Sequence, residues 1–119
     1  MKTYTNLQAR GIEAAKKFLD RRGYEILDEN PRYEAIDLVA RFDDTISIVS
    51  VATRSGEETG FPKDNLQRNT LENSTALWLK DHGSKLPADI RVRFDSIAIL
   101  LLSDSKAFLR FHINVLGAE

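Results

Sequence analysis

No cysteine occurs among the 119 residues. A disulfide framework, a thiolate zinc site and a cysteine nucleophile are therefore excluded. Histidine is nearly absent: His82 and His112 stand far apart, which argues against a catalytic histidine dyad. Charge of one sign is missing as well. The 17 basic and 18 acidic side chains leave a net charge of -1, so any nucleic-acid binding needs a local patch. Aromatic residues make up only 8%, and no aromatic–basic interleaving suggests base stacking. Long apolar runs are lacking; the longest, 97–102, falls far short of a membrane span. No apolar segment follows Met1-Lys2-Thr3-Tyr4-Thr5-Asn6, so no signal peptide is read and a cytoplasmic location is expected. The 42% hydrophobic and 29% charged residues make an ordinary folding composition. Residues 1–119 read as a single domain with one core.

What is present centres on a hairpin. Residues 36–40 and 46–51 are apolar and β-prone, and Phe42-Asp43-Asp44-Thr45 between them is a polar reversal. One charge, Asp37, sits inside the first apolar run. A carboxylate there is costly unless it is paired, hydrogen-bonded or bound to a metal.

The flanking elements follow from periodicity and caps. Thr5-Asn6-Leu7-Gln8 has the form of a capping box. A helix over about 6–22 places Leu7, Ile12, Ala15, Phe18 and Leu19 on one stripe, and Gly23 closes it. A short strand at 24–27 is ended by Asn30-Pro31. The loop 55–60 is polar, contains two glycines and is expected to be mobile. A second helix spans about 63–82, with Leu66, Leu71, Leu77, Trp78 and Leu79 toward the core. Residues 90–102 read as a strand whose second half is buried on both faces. Residues 103–106 turn the chain into a last strand at 107–115. Helix, three strands, helix, two strands implies a mixed α/β sheet with a helix on each side.

An Asp on one strand, a hairpin, then Glu-x-Lys on the next is the plan of the PD-(D/E)xK nucleases. The fuller pattern resembles the YraN-like family of small bacterial proteins. That family runs Gly-Glu-Ile-Asp-Leu-Ile-Ala, a turn, then Val-Glu-Val-Lys-x-Arg. Here the runs are Glu34-Ala35-Ile36-Asp37-Leu38-Val39-Ala40 and Val49-Ser50-Val51-Ala52-Thr53-Arg54. Asp37 and Arg54 match. Ser50 stands where the family has its second metal-binding Glu, and Ala52 where it has its catalytic Lys. Gly11, Glu13 and Ala14, then Phe18-Leu19 and Gly23-Tyr24, are similar to the family's opening, and Arg93-Phe94-Asp95 to its later strand. Gln67 takes the place of a Lys near the second helix. The resemblance implies a restriction-endonuclease-like α/β core of four to five strands, and a nuclease fold without nuclease chemistry.

Metal-assisted hydrolysis needs carboxylates for Mg²⁺ and a group that activates or steadies water. The remnant motif, Asp37, Ser50, Ala52 and Glu13, supplies neither a paired acid nor an amine on the hairpin. Losing such a donor costs about 10²–10³ in rate. No cofactor is expected, with Mg²⁺ at Asp37 only if relocated acids restore a site. Glu34 is expected on the opposite strand face from Asp37, and Glu13 lies off the apolar stripe, as a surface glutamate. Asp37 is expected to form a structural ion pair with Arg54, Arg41 or Arg93. Arg10, Lys17 and Arg21 share one helix face. With Lys16, Arg22, Arg41 and Arg54 they make a candidate phosphate-tracking patch for DNA or RNA. Glu13 and Asp20 beside them dilute the field, which favours a merely solvated helix face. Three readings follow: a non-cutting nucleic-acid-binding module, a homodimeric interaction protein, and a residual metal-dependent nuclease.

Overall fold

Thr5 starts the first helix as expected. Its hydroxyl accepts from the Gln8 amide at 3.1 Å, and α1 (Asn6–Arg21) follows. Gln8 does not close the box; its side-chain amide donates to the Val51 carbonyl at 2.7 Å and ties the helix to the sheet. Gly23, at φ +90°, reverses the chain where a side chain would be strained. The structure, a computed structural model, describes residues 4–29, 31–56, 60–62, 66–103 and 106–116. Parts of the loop expected to be mobile (57–59), of the expected second helix (63–65) and of the expected turn (104–105) lie outside those residues.

After α1 come β1 (Glu25–Glu29), β2 (Leu38–Phe42), β3 (Thr45–Ser55), α2 (Arg68–His82), a 3₁₀ turn (Gly83–Lys85), β4 (Arg91–Ser103) and β5 (Lys106–His112). The five strands lie in sequence order, β1-β2-β3-β4-β5. All neighbours are antiparallel except β3 and β4, which run parallel over Thr45–Ser55 and Arg91–Leu101. A parallel pair needs a crossover, and α2 lies within it. This mixed α/β sheet is consistent with a restriction-endonuclease-like core.

Strand alternation divides the interior in two. Leu38, Ala40, Val49, Val51, Ile97 and Ile99 meet Ile12, Ala15 and Leu19 of α1. Ile36, Val39, Ile46 and Ile48 meet Trp78 of α2 on the other face. A helix therefore covers each side. β3 is buried on both faces, as a central strand next to a parallel neighbour should be.

Several bounds differ from expectation. β2 begins at Leu38 because Ala35 turns into the left-handed region at φ +69°, and Ile36 then points to the α2 side. Leu77 is exposed, at 52%. The buried face of α2 is Leu71, Ser74, Thr75 and Trp78, and Leu77 falls off it. β4 is buried on both faces only as far as Ile99, since Leu102 is exposed. β5 ends at His112 rather than Val115 because Asn114, at φ +61°, bends the chain to hydrogen-bond Asp95. Among the described residues, no helix is long and apolar enough to cross a membrane.

One close approach sets the seat of α1. A Cβ on Gly11 would lie 1.8 Å from Thr53 Oγ1 and 2.9 Å from Thr53 Cβ. Only glycine lets the helix rest there on β3.

Candidate functional site

The hairpin brings the motif positions together and satisfies them with hydrogen bonds. Asp37 immediately precedes β2, and its amide donates to the Val49 carbonyl at 2.9 Å. Its Oδ1 accepts from the Tyr4 hydroxyl at 2.8 Å, and its Oδ2 from the Val51 amide at 2.7 Å. Burial, then the bond to Asp37, hold the Tyr4 phenol well above its ordinary pKa. Ser50 Oγ donates to the Ala35 carbonyl at 2.5 Å. That acceptor is offered because Ala35 is turned at positive φ. Ala52 lies opposite Ala98 in the β3–β4 ladder and carries only a methyl. The arrangement is one carboxylate with both oxygens accepting, a hydroxyl turned onto the backbone, and an apolar stub.

Two of the three expected ion partners of Asp37, Arg93 and Arg41, make contacts elsewhere. Arg93 grips the buried Asp95 with its Nε and Nη2, and the Nη2–Oδ2 contact is 2.8 Å. Asp95 also accepts from Ser47 and from the Asn114 amide at 2.8 Å. Arg93 reaches Tyr24 Oη at 2.9 Å. The carboxylate beside it raises the Arg93 pKa above its ordinary value. Arg41 donates to the Asp43 carbonyl of its own turn at 3.0 Å.

A second feature lies between α1 and β5. A groove of about 520 Å³ is walled by Arg10, Lys17 and Arg21 on α1 and by Lys106 on β5. Glu13 is the one carboxylate among the described residues that line it. Phe18, Ile99, Leu101 and Leu109 form an apolar floor. Glu13 is itself 3.4 Å from Lys16, so its charge is shared.

The family comparison agrees with the architecture. A sequence model described as "Uncharacterised protein family UPF0102" matches residues 12–99. The chain belongs to this family. The UPF0102 protein of Syntrophomonas wolfei is 33% identical over 109 residues, covering 87% of this chain and 91% of the relative. That of Christiangramia forsetii is 31% identical, covering 84% and 85%. That of Roseiflexus castenholzii is 37% identical, covering 80% and 79%. The resemblance seen in the hairpin is thereby shown across most of the chain.

In this UPF0102 member the candidate basic residues divide. Arg10, Lys17 and Arg21 converge on the groove. Lys16 turns away to Glu29, at 2.9 Å, which raises the pKa of its ammonium. Arg22 sits over the Phe18 ring, 4.7 Å from its centroid. Arg41 and Arg54 are excluded from the groove by alternation: Ala40 and Thr53 face α1, so their neighbours point to the other side. Glu13 is exposed on the groove wall. Glu34 lines a cleft beside α2. Two contributors escaped the sequence: Tyr4, the partner of Asp37, and Lys106, the facing wall. Neither carries a local signal, because each acts across a long stretch of chain.

Proposed function

We propose that this UPF0102 protein is a nuclease-fold module that binds nucleic acid through the α1–β5 groove and does not cut it by the PD-(D/E)xK mechanism. The convergence of Arg10, Lys17, Arg21 and Lys106 on one groove carries the reading. A near-neutral chain with four cations along one groove has the local field that phosphate binding needs.

The hairpin supports the second half of the proposal. Mg²⁺ favours several oxygen ligands, including carboxylates, in near-octahedral geometry. The residues at Asp37 do not fit it: both carboxylate oxygens already accept hydrogen bonds, and Ser50 donates to the backbone. Among the described residues, no group of three or more His, Asp or Glu is placed to share an ion.

The test is fluorescence anisotropy with labelled DNA and RNA at low and moderate salt, run beside a nicking assay with Mg²⁺ and Mn²⁺. Binding should weaken steeply with salt, and no nicking should follow. Absence of binding to every probe at micromolar protein would defeat the binding half. Nicking that disappears in Asp37→Ala would defeat the other.

A further inference from the structure

Resting on that binding reading, we infer that the α1–β5 groove takes an unpaired strand, DNA or RNA, in preference to a duplex. The floor makes the distinction. Phe18 and Leu109 present apolar surface between cationic walls, above the buried Ile99 and Leu101. A duplex shows phosphates and sugars outward and keeps its bases stacked inside, so it has nothing to cover that floor. An unpaired strand turns base faces inward while its phosphates meet the walls. Phe18 is held for this by an edge-to-face contact with Phe111, the ring centroids 5.5 Å apart.

The wall has the length of a short strand. At 1.5 Å rise per residue, Arg10 lies about 10 Å from Lys17 along the helix axis, and Arg21 about 6 Å further on. The whole span of about 16 Å matches roughly five stacked nucleotides at ~3.4 Å each. Lys106 closes the opposite side.

The alternative, α1 inserted into a duplex major groove, is disfavoured by its outer ridge. Glu13, Lys17 and Asp20 succeed one another there at helical spacing. Asp20, which does not line the groove, would then join Glu13 against the phosphate-lined walls.

Anisotropy titrations at low salt compare a mixed-sequence single-stranded DNA, the same RNA, the matching duplex, and inorganic polyphosphate as competitor. The single strands should bind at least about tenfold more tightly than the duplex. Lys17→Ala and Lys106→Ala should each weaken single-strand binding and reduce the slope of log K against log salt by about 0.7. Leu109→Asn should cost about tenfold on the single strand and leave that slope unchanged. Ala107→Glu, at an exposed groove position, should weaken binding without threatening the fold, and serves if Leu109→Asn does not fold. Equal or tighter duplex binding would overturn the single-strand inference and leave nucleic-acid binding standing. So would polyphosphate competing as well as the strand, or an Ala107→Glu protein binding as the parent does. Failure of every nucleic acid to bind would remove both.

Discussion

Replacing Gly11 by alanine is expected to destabilise the protein by about 2 kcal/mol, the reverse of what an alanine does in an ordinary helix. In an exposed helix interior the change stabilises by about 1 kcal/mol. Here the new Cβ meets Thr53 Oγ1 at 1.8 Å, and Thr53 Cβ and Cγ2 each at 2.9 Å. Rotating χ1 of Thr53 moves the hydroxyl but not Cβ, which is fixed to a strand paired with β4. The helix must therefore lift and loosen Ile12, Ala15 and Leu19 from the sheet. Overpacking of this kind costs about 3 kcal/mol at the upper end of its ordinary range. Subtracting the helix preference leaves about 2 kcal/mol, or a Tm lower by roughly 8 °C for a chain of this length. Thr53→Ala supplies the second side of a cycle. Thr53 Oγ1 is buried without a hydrogen-bond partner, so its removal relieves about 1 kcal/mol or more. The lost methyl offsets that by about 1 kcal/mol, and the single variant should be close to neutral. In Gly11→Ala/Thr53→Ala the Oγ1 and Cγ2 contacts are gone and only the 2.9 Å approach of the two Cβ atoms remains, so about 1 kcal/mol of the Gly11→Ala loss should be recovered. Urea denaturation followed by circular dichroism measures all four proteins, with an unchanged m-value required. Additivity of the two changes within about 0.5 kcal/mol, or a stabilising Gly11→Ala, would refute the close-approach argument.

Three further outcomes are expected. Tyr4 is held protonated by burial and by Asp37. Its contribution to stability is complete below the unfolded phenol pKa of about 10 and is lost as pH rises toward the higher folded value; Tyr4→Phe should flatten the alkaline limb of the stability–pH curve, and an unaltered limb would count against the contact. Asp95 is 1% exposed and serves Arg93, Ser47 and the Asn114 amide, so Asp95→Ala should cost about 3 kcal/mol in urea denaturation and make the segment after β5 more protease-sensitive; a loss below about 1 kcal/mol would show the network to be weak. Ser50→Glu with Ala52→Lys returns an acid and an amine beside Asp37, and calorimetry should then show Mn²⁺ binding absent from the parent; an equal heat in the parent would mean that the native residues already hold the ion.

Local chemistry was readable wherever neighbours in the chain decide the outcome. Thr5 caps α1 and Gly23 takes a positive φ; the hairpin reversal lies where expected, but it is a two-residue turn at Asp43–Asp44 rather than a loop of four or five, because Phe42 pairs with Thr45 and Asp43 takes φ +58°. These depend on one residue's own torsions or on a donor three positions away. The family, the hairpin and the mixed sheet were likewise legible, because each is a pattern of residue types in order. The stripe of α2 was misread at Leu77 because Ser74 and Thr75 occupy the buried face instead. Hydrophobicity alone could not reveal which side the sheet would meet.

The residues by themselves determined where most strands and helices form, which faces of β3 and α1 are apolar, and that the hairpin carries Ser50 and Ala52 rather than an acid and an amine. The tertiary structure alone decided who shares a site. It gave Asp37 to Tyr4 and Val51, left Arg93 to Asp95, and set Lys106 across a groove from Lys17. The reason is physical: torsional preference and alternation act over a few residues, whereas a carboxylate's partner or a groove's second wall depends on how distant segments pack.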